Sequence, residues 1–173
     1  MRILLEGRPG SGKSTIVRRL ADALGEEGIP VTGLVTDEIR KRGGRLGFAI
    51  ERLGGERGVL AHVDFPGPPR VGRYGVDLSA FERLAIPALE EATEREVAII
   101  DELGKMELAS QPFRDAVCGL LDRPVPVVAT VQTARHPFTD ALKRRPDIET
   151  LRVTTAIRDE LPQLLAAALG STR

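Results

Sequence analysis

The sequence predicts an α/β fold in which helices cover both faces of a mainly parallel β-sheet. Short apolar runs alternate with amphipathic helical patterns along most of the chain, which is typical of strand–helix–strand units. No internal repeat, low-complexity tract or linker divides it. We therefore expect one domain over residues 1–173, with a β-hairpin and loop insertion at about 37–76.

The N-terminal part opens this alternation. Residues 2–6 form an apolar run that ends at a glycine, as a buried strand does. A helix follows and is expected to stop at Gly25; its apolar face consists of Ile16, Val17, Leu20 and Leu24. Residues 29–36 predict a second strand.

Residues 37–76 have a different composition. Glycines and a proline-rich stretch at 65–69 separate two short apolar runs, 46–53 and 59–63. Apolar runs bounded by such breakers are typical of hairpins and loops. We expect this segment to be a β-hairpin and loop insertion within the single domain.

From residue 77 onward, helices and strands alternate again. Asp77 and Ser110 each precede an apolar helical stripe, and we expect both to cap a helix N-terminus. The remaining predicted elements are a strand at 97–100, a strand at 125–131, a short helix within 132–147, a strand at 148–153 and an amphipathic helix at 161–169.

Composition restricts the protein classes to consider. The 25 basic and 25 acidic side chains cancel, and aromatic residues make up only 3% of the chain, so neither a nucleic-acid surface nor a charged membrane anchor is expected. No apolar run approaches the ~20 residues of a membrane helix, and the start has no signal-peptide pattern. The single Cys118 cannot form an intrachain disulfide. We expect a cytoplasmic monomer.

The glycine-rich turn after the first strand predicts a phosphate-binding loop. Its residues fit G-x-x-x-x-G-K-[ST] at every fixed position: Gly7, Arg8, Pro9, Gly10, Ser11, Gly12, Lys13 and Ser14. Glycines let backbone N–H groups converge on phosphate oxygens, and the following helix points its positive end at them. Lys13 is expected to reach the β- and γ-phosphates and Ser14 to ligate Mg²⁺, with Thr15 among the nucleotide contacts.

Two carboxylates follow the apolar strand at 97–100. Asp101 is expected to hold Mg²⁺, through water, as the second metal anchor. Because the chain turns at the end of the strand, Glu102 can face the γ-phosphate and orient and deprotonate the attacking water. Glu102 and Lys13 are therefore the predicted catalytic residues.

With both motifs in place, the chain resembles the THEP1 family of nucleoside-triphosphatases, also called cancer-related nucleoside-triphosphatases. The resemblance extends over nearly the whole chain and includes four further segments: 36–40, 45–48, 71–78 and 100–108. It implies a RecA-like P-loop fold that hydrolyses ATP, GTP and other nucleoside triphosphates. It also implies nucleotide contacts from the segment 97–104, which includes Leu103 and Gly104, and a catalytic role for Glu102.

A cation on the γ-phosphate is worth about 10³–10⁵ in rate where an arginine finger exists. The candidates within the chain are Arg40, Arg70, Arg73 and Arg135. Arg40 follows the second strand, whose carboxyl end is expected near the site, and Arg73 lies in a loop able to close over it. We therefore favour Arg40 and Arg73.

Two other functions fit a phosphate-binding loop. A nucleotide or nucleoside kinase needs an arginine-rich lid, which the basic segment 135–145 resembles. A nucleotide-dependent switch would act with a protein or nucleic-acid partner. The adjacent pair Asp101 and Glu102 favours a hydrolase, and the absence of an Asn-Lys-x-Asp guanine signature favours broad base specificity.

Overall fold

A computed structural model describes residues 1–171, in which one nine-stranded β-sheet has helices on both faces. The strands are β1 (Arg2–Gly7), β2 (Val31–Lys41), β3 (Gly44–Arg52), β4 (Arg57–His62), β5 (Arg70–Val71), β6 (Tyr74–Val76), β7 (Val97–Leu103), β8 (Val127–Gln132) and β9 (Glu149–Arg152). The helices are α1 (Lys13–Glu26), α2 (Leu78–Glu90), α3 (Gln111–Leu121), α4 (Pro137–Leu142) and α5 (Leu161–Gly170), with a 3₁₀ turn at Glu107–Ala109.

Five strands form the parallel half of the sheet, in the order β2-β7-β8-β1-β9. Parallel strands end at the same edge, so the residues that follow β1, β7 and β8 meet there. Gly7 at the end of β1 pairs with Gln132 at the end of β8, and β7 lies on the other side of β8. The mainly parallel sheet expected from the sequence is confirmed in this half.

The expected hairpin at 37–76 is present, but it does not leave the sheet. Strand β2 runs on to Lys41 instead of ending at 36, and β3, β4, β6 and β5 then continue the same sheet in antiparallel order. The glycines that predicted loops serve tight turns and close strand contacts. Gly43 and Gly44 turn the chain at positive φ (103° and 137°), and a Cβ on Gly47 would lie 2.1 Å from the Ala61 carbonyl oxygen.

Close packing between β2 and β7 depends on another glycine. Gly33 has φ 108°, and a Cβ there would lie 2.0 Å from the Ile99 carbonyl oxygen. No side chain fits at this distance, so the pairing of β2 with β7 requires glycine.

The helices bury the two faces of the sheet. Helices α1 and α5 cover one face, and α2 and α3 cover the other, each with its own apolar core. Asp77 caps α2 by accepting a hydrogen bond from the Ala80 amide at 2.9 Å, and Ser110 caps α3 by accepting one from the Phe113 amide at 3.1 Å. Both predicted caps are confirmed. None of the helices within residues 1–171 has the length and apolarity needed to cross a membrane.

Candidate active site

The glycine-rich turn lies between the end of β1 and the start of α1. Gly10 and Gly12 have φ of 76° and 96°, a left-handed conformation that favours glycine. The Ser11 hydroxyl lies 2.4 Å from where a Cβ on Gly7 would be, so a side chain at position 7 would collide with the loop. The turn therefore brings the N-terminus of α1, with its unpaired N–H groups, to the carboxyl edge of the sheet.

Lys13 is the first residue of α1, and its side chain is 5% exposed. Its ammonium group donates to the carbonyl oxygens of Gly7 at 3.0 Å and Arg8 at 3.2 Å. The same nitrogen lies 3.7 Å from Glu102 Oε2. The turn thus holds a buried positive charge beside the helix N-terminus, as an anion site requires.

Asp101 is almost completely buried, at 1% exposure, on the neighbouring strand β7. Its Oδ1 accepts a 2.5 Å hydrogen bond from the Thr130 hydroxyl, whereas its Oδ2 is buried without a protein partner. Burial raises the pKa of Asp101, the nearby Thr130 and Ser14 hydroxyls and the Lys13 charge oppose this rise, and the Glu102 charge adds to it. An unpaired buried oxygen beside a hydroxyl suits a bound cation, because the cation would offset the cost of burial.

Mg²⁺ in a phosphate site takes one or two protein ligands, and the substrate phosphates and waters supply the rest. Within residues 1–171 no three His, Cys, Asp or Glu side chains are grouped to hold a metal by themselves. The pair Ser14 and Asp101 has the donor chemistry that Mg²⁺ needs there. Magnesium binding by this pair stays a prediction.

Glu102 lies next to Asp101 on β7, and the peptide bond between the two is cis. Its side chain is 24% exposed and is held at both oxygens: Oε1 accepts a 2.5 Å hydrogen bond from Gln132 Nε2, and Oε2 faces Lys13. A Cβ on Gly104 would lie 3.0 Å from Oε1, so glycine leaves room for this carboxylate. Glu102 therefore stands beside the buried ammonium group in a defined orientation.

Gln132 is a site residue that sequence reasoning missed. It ends β8, which lies between β1 and β7, and its carbonyl oxygen accepts a 3.3 Å hydrogen bond from Lys143. Lys143 also pairs with Glu6 at 2.5 Å. The sequence does contain a signal for Gln132, because it is the first polar residue after a predicted buried strand next to the phosphate-binding strand.

An open cleft of about 540 Å³ joins the glycine-rich turn to the antiparallel half of the sheet. Its walls come from α1, β7 and β8 on one side and from β2 and β3 on the other. The lining residues are Pro9, Gly10, Gly12, Lys13, Ser14, Thr15, Thr36, Asp37, Glu38, Arg45, Phe48, Glu102 and Gln132.

The two favoured arginines are not among these lining residues. Arg40 is 66% exposed and pairs with Glu38, and Arg73 lies against the Tyr74 ring and donates to the backbone carbonyl of Arg45. The structure brings Arg45 to the cleft instead. Strand β2 continues past residue 36, so Arg40 lies beyond the carboxyl edge that was expected to present it.

Several other predicted nucleotide-contacting residues do not line the cleft. Leu103 is 2% exposed and packs into the core, so its side chain does not line the cleft. Leu103 and Gly104 border a separate small cavity next to α4. Arg8 and Ser11 belong to the turn but are not among the cleft-lining residues.

Comparison with known proteins identifies close relatives of this chain. A family model described as NTPase matches residues 2–166. The nucleoside-triphosphatase THEP1 of Thermotoga sp. strain RQ2 is 40% identical over 174 residues, which cover 100% of this chain and 98% of that protein.

Two solved structures match the fold. The crystal structure of THEP1 from the hyperthermophile Aquifex aeolicus has a TM-score of 0.88 and 36% identity, covering 98% of this chain and 99% of that one. The solution structure of a human cancer-related nucleoside triphosphatase has a TM-score of 0.86 and 36% identity, covering 99% of this chain and 98% of that one. The α/β fold and the family resemblance drawn from the sequence are both confirmed.

Proposed function

The chain belongs to the NTPase family, and we propose that it hydrolyses several Mg²⁺-bound nucleoside triphosphates to the diphosphate and phosphate. Its relatives carry the name nucleoside-triphosphatase, and the chain is an enzyme of that class. Magnesium dependence, breadth of base specificity and the roles of individual residues are the parts that we propose here.

The observation that carries the proposal is the environment of Glu102. Its carboxylate lies 3.7 Å from the Lys13 ammonium group and is tethered by Gln132. In phosphate-binding loops of this type, the lysine marks the position of the β- and γ-phosphates. A partly exposed carboxylate at that position is suited to orient a water molecule and accept its proton.

The proposed reaction is a direct displacement by water. The water oxygen forms a bond to the γ-phosphorus while the bond to the β,γ-bridging oxygen breaks and leaves its electron pair on the diphosphate. The proton of the attacking water passes to Glu102 and then to the phosphate product. Lys13 and the backbone N–H groups of the turn stabilise the negative charge that develops on the leaving oxygen.

Ser14 and Asp101 would hold Mg²⁺ on the phosphates. When bound, this ion neutralises charge on the β- and γ-phosphate oxygens. The unpaired Oδ2 of Asp101 and the nearby Ser14 hydroxyl support this assignment.

Broad base specificity is supported by what the sequence lacks. The 173 residues contain no asparagine, and an Asn-Lys-x-Asp guanine-reading motif is therefore absent. A site that recognises mainly the triphosphate accepts several bases, because every nucleoside triphosphate presents the same phosphates.

The kinase alternative receives no support from the basic segment 135–145. Arg145 is engaged in ion pairs with Asp122 at 3.1 Å and Asp147 at 2.9 Å, and Arg135 is 92% exposed. A kinase lid needs guanidinium groups that clamp a second substrate. Phosphate release without any acceptor distinguishes the two functions.

The experiment measures phosphate release from a panel of nucleoside triphosphates, with Mg²⁺ and with EDTA, and without an acceptor. The wild type should release phosphate from several of them, and only with Mg²⁺. Glu102→Gln should bind nucleotide normally and lose at least about 100-fold in turnover, because general-base catalysis contributes about 10²–10⁴. Lys13→Ala should lose both binding and turnover.

Glu94→Gln, a change at an exposed glutamate, is the matched control. If Glu102→Gln keeps turnover within about twofold of this control while binding is intact, the catalytic role of Glu102 is wrong. If the wild type releases no phosphate from any triphosphate, the hydrolase proposal itself fails.

The proposal also includes a cytoplasmic monomer that works without a nucleic-acid partner. Balanced charge and few aromatic residues support the absence of a nucleic-acid partner. Light scattering during turnover and assays with added RNA or DNA test it. Stimulation by nucleic acid, or a stable dimer, would contradict it.

A further inference from the structure

Arg45 lies on β3 and faces the phosphate-binding turn across the cleft. Among the described residues that line this cleft, only Lys13 and Arg45 carry a positive charge. Lys13 is already placed at the β- and γ-phosphates by the motif it belongs to. Arg45 is therefore the cation available from the opposite wall.

An irregularity in strand pairing brings Arg45 to this wall. Glu38 pairs with Phe48, but the register shifts so that Arg40 pairs with Arg45 rather than with residue 46. Side chains alternate along a strand, so such a shift re-aims the residues beyond it. Arg45 consequently shares a face with Glu38 and Phe48, both of which line the cleft.

Several contacts hold the Arg45 guanidinium group in place. Its Nη1 donates to Glu38 Oε1 at 2.6 Å, and its Nε donates to the Tyr74 hydroxyl at 3.0 Å. The group also lies 4.8 Å from the centre of the Phe48 ring. Nη2 takes part in neither hydrogen bond, and the side chain is 39% exposed and lines the cleft, so Nη2 is available to donate to a ligand.

The charge balance around Arg45 leaves a surplus. Glu38 accepts from Arg45 through Oε1 and from Arg40 through Oε2, both at 2.6 Å. These hydrogen bonds, that from Arg45 first, lower the pKa of Glu38, and the carboxylate therefore stays ionised at neutral pH. The two guanidinium groups and the single carboxylate together carry a net charge of +1. Because Glu38 is shared with Arg40, it does not fully neutralise Arg45.

Arg73 contacts both the backbone of Arg45 and the ring of Tyr74, which bonds to Arg45. It donates to the Arg45 carbonyl oxygen, and its guanidinium group lies 5.3 Å from the centre of the Tyr74 ring. Tyr74 in turn packs edge-to-face on Phe48 at 5.3 Å. Arg73 is thus a positioning residue for Arg45.

We propose that Arg45 contacts the γ-phosphate and stabilises the charge that develops on it during hydrolysis. This inference rests on the proposed hydrolase function and adds a catalytic residue to it. The bond changes are those of the water attack given above, and Arg45 contributes charge and hydrogen bonds without exchanging a proton. A planar fork that presents two donors suits the oxygens of a phosphoryl group in transfer.

The test compares Arg45→Ala with Arg83→Ala, which removes an exposed guanidinium group paired with Glu56 outside the cleft. Steady-state kinetics should show a fall in kcat of at least about 100-fold for Arg45→Ala, since such arginines are worth about 10³–10⁵. Arg83→Ala should stay within about threefold of the wild type. Circular dichroism and thermal unfolding check that both variants are folded, and Arg45→Gln, which keeps hydrogen-bonding groups without charge, replaces Arg45→Ala if that variant unfolds.

Affinity for a transition-state mimic separates catalysis from ground-state binding. Arg45→Ala should bind the nucleoside diphosphate with unchanged Kd but lose at least about 100-fold in affinity for the diphosphate with Mg²⁺ and aluminium fluoride. Equal weakening of diphosphate and triphosphate binding with unchanged kcat would overturn the inference and assign Arg45 to substrate binding. Turnover of Arg45→Ala equal to that of Arg83→Ala would also overturn it. Both outcomes leave the hydrolase function intact, whereas a wild type without phosphate release overturns both proposals.

Discussion

Glu107 gives the sharpest prediction of pH-dependent stability. It begins the 3₁₀ turn after β7, and only 5% of it is exposed. Burial raises the pKa of Glu107 from its ordinary 4.5 to about 8; its own backbone amide opposes the rise, and the charges of Glu102 and Asp101 add to it. The carboxyl group therefore keeps its proton in the folded protein at neutral pH.

The sign of the effect follows from proton binding. Between pH 4.5 and about 8 the folded carboxyl is protonated while the unfolded one is ionised, so the unfolded state binds fewer protons. The stability that depends on this group is fully present below about pH 4.5 and is lost as pH rises to about 8. At about 1.4 kcal/mol per pH unit, the free energy of unfolding should fall by roughly 3 kcal/mol between pH 5 and pH 8.

Glu107→Gln tests this value because glutamine mimics the neutral side chain and does not titrate. Urea unfolding of both proteins at pH 5 and pH 8, without Mg²⁺ and nucleotide, measures the difference. The wild type should lose about 3 kcal/mol relative to Glu107→Gln over this range. Glu94→Gln controls for the loss of an exposed carboxylate. Parallel pH profiles of the wild type and Glu107→Gln would refute the reasoning.

Two further predictions test individual contacts. Gln132→Leu removes the 2.5 Å hydrogen bond to Glu102 and should lower kcat by about tenfold or more, with nucleotide Kd nearly unchanged; a phosphate-release assay with normal turnover would contradict this role. Gly33→Ala would place a Cβ 2.0 Å from the Ile99 carbonyl oxygen at φ 108°, and it should cost at least about 4 kcal/mol in urea unfolding. Gly25→Ala, which meets no atom within 4 Å, is its control, and equal stability of the two variants would show that β2 and β7 can separate at low cost.

The phosphate-binding turn was predictable because all its determinants are contiguous. The motif, the strand before it and the helix after it occupy residues 2–26, and each depends on local backbone preference or periodicity. The same holds for Asp101 and Glu102 at the end of an apolar run, and for the caps Asp77 and Ser110. The site roles of these residues stay predictions, whereas the elements that carry them are confirmed.

The antiparallel half was harder to predict from composition. The apolar runs 46–53 and 59–63 predicted the hairpin that β3 and β4 form, but the glycines around them predicted a loop insertion rather than a continuation of the main sheet. Glycine favours a turn when the chain is considered locally, but between paired strands it permits a backbone approach that no other residue allows. Only the pairing partner distinguishes the two uses, and Gly47 beside Ala61 is an example.

The sequence by itself therefore determined the fold class, the phosphate-binding turn and the two carboxylates, because these depend on neighbours within a few residues. The tertiary structure decided which further side chains lie around them: Gln132, through the order of the parallel strands, and Arg45, which the register of β2 and β3 places on a face that lines the same cleft. Strand order and register arise from contacts between residues far apart in the chain, and a one-residue shift in register changes the face on which a side chain lies. Local patterns carry no information about such a shift.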